Sequence, residues 1–111
     1  MSDPPDQPIA VFITAPHQGD ASRLADMLVE RRFAACVQIL PAVESVYRWQ
    51  GRIERQPEVL LIAKTLTSKF AELEREVRAL HSYETPEIVA VTLTAVSEPY
   101  WQWLNASVTT E

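Results

Sequence analysis

The chain has 111 residues, 47% of them apolar and 23% charged, with a formal net charge of −5. This composition fits one globular domain, which buries roughly two-thirds of its unfolded surface and keeps little stability in reserve, so association would help it. An acidic balance without any run of three Lys or Arg argues against nucleic acid and anionic membrane as partners, and an apolar stretch no longer than residues 59–63 is far short of the roughly 20 residues of a membrane helix.

Residues 1–8, with Pro4, Pro5 and Pro8 among Asp and Gln, lack periodicity and are expected to form a flexible tail, leaving residues 9–111 as a single domain. Neither a basic leader nor an apolar signal core is expected there. Residues 9–14, apolar and β-branched on both faces, suit a central buried strand ending at Pro16 and Gly19. Asp20 then caps a helix whose stripe Ala21, Leu24, Ala25, Leu28 and Val29 has core-facing spacing, while Arg23, Asp26, Glu30 and Arg31 face water.

Residues 36–65 form two strand-like stretches on either side of Gln50-Gly51, where Gly51 can adopt the positive φ of a tight hairpin turn. Arms of about 14 residues reach roughly 45 Å, longer than a domain of this size, so the outer half should project and join another chain. Pro41 and Pro57 mark interruptions or bends in the ladder. Thr67 or Ser68 caps a second helix with Phe70, Leu73, Val77 and Leu80 inward, and His81 lies just past its end. A strand over residues 88–93 follows Pro86, and Ser97 caps a last helix with Pro99 in its first turn and Tyr100, Trp103 and Leu104 inward. Trp101 and Trp103 cannot both face its core, so one should meet a partner chain or the hairpin's base. The order β-α-β-β-α-β with a terminal helix predicts an α+β, ferredoxin-like split-βαβ sandwich.

Several side chains are candidates for chemistry. The single cysteine, Cys36, excludes an intrachain disulfide and suits a reducing cytoplasm; between Ala35 and Val37 it reads as a packed, inert thiol. His17, in a loop, reads as a solvated histidine. His81 is the best metal candidate, with Glu84 three residues on to add an oxygen, although a histidine at a helix end also simply complements the carbonyl dipole. Tyr47 and Trp49 before the turn would be a hazard if left exposed, so they belong in an interface or in the wall of an intersubunit pocket, together with Tyr83. Glu58 and Lys64 bracket an apolar strand and could join that pocket or form an ion pair.

Three segments together resemble the CutA divalent-ion tolerance family: Phe12-Ile13-Thr14-Ala15-Pro16, the stretch from Phe33-Ala34-Ala35-Cys36-Val37-Gln38-Ile39 to Tyr47-Arg48-Trp49-Gln50-Gly51, and His81-Ser82-Tyr83-Glu84-Thr85-Pro86-Glu87. Tyr100-Trp101-Gln102-Trp103-Leu104-Asn105 fits the family's C-terminal helix, and the likeness spans residues 9–108. The resemblance implies a ferredoxin-like subunit, a homotrimer joined through the long hairpin, binding of a divalent metal ion such as copper or zinc, and a part in metal tolerance. Some relatives carry a Cys where this chain has Ile13 and a His-His pair where it has Leu80-His81, so a copper site of one thiolate and two imidazoles is not carried over whole. Two other readings stand beside it: a trimer similar to PII-type regulators that binds a small molecule between subunits, and a scaffold without a ligand. An enzyme of the acylphosphatase kind would need an anion cradle and a positioned Asn, but the chain has only Gly19 and Gly51 and no Asn before Asn105.

Overall fold

The computed structural model describes residues 5–109, so the expectations for residues 1–4 and 110–111 lie outside the described residues. In chain order it contains β1 (Pro8–Ala15), α1 (Gln18–Glu30), β2 (Cys36–Trp49), β3 (Arg52–Leu66), a 3₁₀ turn (Thr67–Lys69), α2 (Phe70–Leu80), β4 (Ile88–Thr92) and α3 (Glu98–Thr109). The four strands form one antiparallel sheet in the order β2-β3-β1-β4. It is an α+β fold. The two strands that link the helical units, β1 and β3, lie at the centre of the sheet.

Alternation along β1 divides the sheet into two faces. Ile9, Val11, Ile13 and Ala15 lie on the face that packs under α1 and α2, against Ala21, Leu24, Leu28, Leu73 and Val77, with Val59, Leu61 and Ala63 of β3 beside them. The opposite face carries Phe12, Leu60 and Ile62, with Val89 and Val91 of β4 exposed on it. At one end of that face α3 packs Leu104 and Val108 on Leu66. Its stripe is Trp101, Leu104 and Val108, at i, i+3 and i+7, so Trp101 turns inward and Trp103 outward, where it tilts against Tyr100 at 5.4 Å. The expectation that Trp103 faces inward is thereby corrected.

Other local expectations are also revised. The N-cap of α1 is His17, whose Nδ1 accepts from the Asp20 backbone N–H at 3.3 Å. Asp20 sits in the first turn, buried, where its carboxylate meets Arg23. The entry to α2 is capped neither by Thr67 nor by Ser68 but by Asp6, which accepts from the Thr67 and Ser68 hydroxyls and from the Ser68 backbone N–H at 2.6–2.9 Å. Burial works to raise the Asp6 carboxyl, but these hydrogen bonds outweigh it and hold it below the usual carboxylate value. Gln7 also exchanges bonds with Thr67, so this part of the expected tail is tied down. Val29 is exposed because Phe33 and Ala34 fold back beneath the last turn, both donating to the Leu28 carbonyl. Leu80 is exposed because the chain leaves the helix there to bring His81 inward.

The hairpin projects beyond the central strands, as its length predicts. β1 pairs with β3 only over residues 59–66, whereas β2 continues to pair with β3 as far as Trp49 opposite Arg52. The outer half is therefore a two-stranded ribbon, closed by Gln50 and Gly51, both at positive φ (51° and 79°), as a two-residue turn matched to strand twist requires. Pro57 lies in register opposite Glu44, so it does not break the ladder. Pro41 does: between Leu40 and Val43 the register slips by one residue on β2. This bulge sets the faces of the outer ribbon. Before it Leu40 opposes Leu60, and after it Val43 opposes Glu58, so Ser45, Tyr47 and Trp49 share a face with Glu58.

Nothing lies within 4 Å of a Cβ placed on Gly51, so Gly51→Ala carries a backbone cost alone. Chemical denaturation is expected to show a loss of about 1 kcal/mol for this variant. Asp6→Ala, which removes the cap of α2, is expected to cost about 1 kcal/mol at neutral pH. Because the folded-state carboxyl of Asp6 titrates below its unfolded value, that difference is present above about pH 4 and shrinks as the pH falls through the folded value; a gap unchanged at low pH would contradict it.

Candidate functional site

Where β1 ends and the ribbon begins, the face of the sheet turned away from α1 and α2 is hollowed into a cleft of about 650 Å³. Its floor is Thr14 and Glu58, one wall is Ser45, Tyr47 and Trp49 of β2, and the other is the loop after α2, with Ser82, Tyr83, Glu84 and Glu87. The bulge at Pro41 is what turns the β2 side chains toward Glu58.

The loop wall is held by its own hydrogen bonds. The Tyr83 backbone N–H donates to His81 Nδ1 at 3.0 Å, which leaves the proton on Nε2, and Nε2 donates to the Thr14 carbonyl at 2.7 Å. Ser82 Oγ donates to Asp20 Oδ2 at 3.2 Å, tying the loop to the start of α1. The Tyr83 ring tilts against His81 at 4.8 Å, and its hydroxyl donates to Glu58 Oε2 at 2.8 Å.

Glu58 is the most unusual side chain in the cleft, because it is only 8% exposed yet forms no ion pair among the described residues. A buried carboxylate normally needs a countercharge or several donors. Here the phenol of Tyr83 supplies one. No buried side-chain polar atom is left without a partner among the described residues, so Oε1, which accepts nothing from the protein there, opens to the cleft. The phenol of Tyr83 is pushed well above the ordinary tyrosine range, chiefly by burial and then by its hydrogen bond to the Glu58 carboxylate and that group's charge.

The residues singled out in the sequence divide accordingly. Tyr47, Trp49, Glu58, Tyr83 and Glu84 meet at the cleft, with His81 behind its loop wall. Lys64 does not: it lies six residues along β3, donating to Gln38 at 2.8 Å with its ammonium 6.0 Å from the Tyr100 ring. Cys36 is opposite Lys64 in the ladder and half-buried; burial first, then the neighbouring Cys36, raises the Tyr100 phenol. Sequence reasoning missed Thr14, which the alternation of β1 turns to the cleft, Ser45 and Val46, which lie beyond the bulge on β2, and Ser82, Thr85 and Glu87, which the folding of the loop brings there. Both ring nitrogens of His81 are occupied by backbone groups, and among the described residues no three His, Cys, Asp or Glu side chains cluster closely enough to hold a metal ion. Cys36 lies at the far end of the sheet. Within one chain the donors do not fit a copper-type site.

An α+β chain with one face left open and a cleft on it is the setting in which comparison with known proteins becomes informative. The family model described as CutA1 divalent ion tolerance protein matches residues 9–107, and the chain belongs to this family. The divalent-cation tolerance protein CutA of Thermus thermophilus is 46% identical over 95 residues, covering 86% of this chain and 92% of that protein. That of Pectobacterium atrosepticum is 40% identical, covering 96% and 98%. The chloroplastic protein CutA of Arabidopsis thaliana is 40% identical, but the match spans only 54% of its length. Among solved structures, CutA1 from Oryza sativa superposes with a TM-score of 0.90 at 36% identity, covering 95% of this chain and 96% of that one. The Archaeoglobus fulgidus protein, described as periplasmic, superposes with a TM-score of 0.89 at 39% identity, covering 91% and 98%.

Tyr83→Phe removes the one donor to a buried carboxylate and is expected to cost about 2 kcal/mol in chemical denaturation. Because the phenol ionises later in the folded chain than in the unfolded one, its contribution is complete below about pH 10 and is withdrawn as the pH rises through the folded value. The alkaline loss of stability should therefore be shallower in Tyr83→Phe than in the parent; parallel curves would contradict this.

Proposed function

We propose that the protein is a homotrimeric, non-catalytic binding protein of ferredoxin-like subunits, and that its contribution to divalent-cation tolerance is exerted through a ligand held in the cleft between Glu58, Tyr83, Tyr47 and Trp49. One observation carries the reading: Glu58 holds a nearly buried carboxyl group that no basic side chain pairs among the described residues, and turns one oxygen toward a cavity large enough for a small molecule. The family's proteins are named for tolerance of divalent cations and not for a reaction.

The assembly rests on the ribbon and on the part of the sheet face that α1, α2 and α3 leave open. Tyr47 is 41% exposed, Trp49 48% and Ile53 61%, and Leu40, Val89 and Val91 are exposed on the same side of the sheet as the cleft or along the ribbon. Apolar surface of this kind on a protruding two-stranded ribbon is stabilised when it lies on another copy. The family resemblance supports three copies, an arrangement that would place each cleft beside a neighbouring chain. Size-exclusion chromatography with light scattering at micromolar concentration is expected to give three times the 12.6 kDa chain mass. Ile53→Asp with Trp49→Ser should shift it to smaller species; a parent that elutes as a monomer would overturn the assembly.

A second reading gives the cleft's edge to a divalent ion such as Cu²⁺ or Zn²⁺. His81 and Glu84 stand on one loop, and the relatives' names favour a metal. Since both His81 nitrogens are engaged, an ion there would have to displace a backbone partner and take further donors from a neighbouring chain. Calorimetric titration of the parent and of His81→Ala separates the two readings. Binding tighter than millimolar that disappears in the variant supports the metal; no binding, or equal binding in both, removes it.

A further inference from the structure

We infer that the ligand of the cleft is a small organic cation, a flexible aliphatic diamine or a similar compound with more than one ammonium group. This deepens, and rests on, the reading of the cleft as a binding site. The lining supplies two kinds of group at once. Glu58 contributes a nearly buried carboxylate with a free oxygen, and Glu84 and Glu87 contribute exposed carboxylates at the rim. Tyr47, Trp49 and Tyr83 contribute aromatic rings. Among the described residues no Lys, Arg or His side chain lines the cavity, so it offers an anion no countercharge.

Aromatic faces attract cations through the ring quadrupole, and do so most when the cation is weakly hydrated and stripped of water. Carboxylates beside them hold the charge by charge-assisted hydrogen bonds. The same set is poorly suited to a bare metal ion. A metal needs several donors within about 2 to 2.6 Å of one point, and these three carboxylates, though they share one cavity, do not converge as a metal-binding cluster. Carboxylates spread around one cavity, without converging on a point, match a ligand whose own charges are spread. One ammonium satisfies the free oxygen of Glu58 at the floor, the methylene chain lies along Tyr47 and Trp49, and a second ammonium reaches the rim. A neutral ligand of equal size would leave Glu58 uncompensated, and an anion would meet three like charges.

The test is calorimetric titration of the assembled protein with 1,4-diaminobutane, 1,4-butanediol and succinate, which share one carbon skeleton and differ in end-group charge. The diamine is expected to bind, with at least tenfold lower affinity for the diol and for succinate, and to weaken as salt is raised from about 0.05 M to about 0.5 M. Glu58→Gln should weaken the diamine at least tenfold. Glu84→Gln with Glu87→Gln, both exposed and outside the packed core, should weaken it severalfold without changing the assembled mass, so the result does not depend on Glu58→Gln folding well. If the diol or succinate binds as tightly as the diamine and responds to Glu58→Gln, the cation assignment falls while the cleft stands as a binding site. Diamine binding that is unchanged in both variants overturns the assignment, because the carboxylates then do not hold it. If none of the three probes binds, both the assignment and the cleft reading fall.

Discussion

The structure depends on a mismatch in strand length. β1 stops at Ala15 opposite Val59, while β3 and its partner β2 run on beyond that edge. A sheet covered by helices on one face needs its core strands only as long as the helices above them, and α1 and α2 cover no more than the inner half. The extra length therefore lies outside the helix-covered core. The slip at Pro41 then decides which side chains are offered. Without it the alternation would carry Tyr47 and Trp49 to the opposite face, away from Glu58 and Thr14, and no cleft would be walled by aromatics.

Electrostatics gives this surface its character. The floor holds one carboxylate that has lost most of its water and has gained only a phenol in exchange. Such an arrangement is costly to folding, and a chain of this size has little stability to spare. The cost is accepted at one place and is surrounded by a tightly fixed loop, in which His81, Ser82 and Tyr83 are each tied to a different element. A nearly buried carboxyl group with one phenol partner, set in a rigid frame, is what the proposed ligand site rests on.

The fold was largely legible because its signals are local. Periodicity located both long helices, the apolar run located β1, and Gln50-Gly51 located the turn to the residue. The misreadings share one cause: partners distant in sequence. Asp6 caps a helix more than sixty residues away, and neither Thr67 nor Ser68 announces that. Trp101 and Trp103 are alike in composition, and only the position of Leu66 decides which of them turns inward. The site was half legible. Tyr47, Trp49, Glu58, Tyr83 and Glu84 could be named, but Lys64 appeared to belong with them until the strand's length separated it from the cleft. His81 seemed free to ligate because a sequence does not disclose that a carbonyl of β1 and an amide of its own loop occupy both nitrogens.

The clamp made by Asp6 and Gln7 on Thr67 and Ser68 has a practical side. It fixes the beginning of β1 next to the end of β3, where Pro8 pairs with Leu66, whereas the cleft lies at the other end of the same two strands, beside Thr14 and Glu58. A dye, a surface linker or a fused reporter joined upstream of Asp6 therefore departs from the rear of the sheet. The protein can therefore be immobilised by the end of the sheet opposite the cleft.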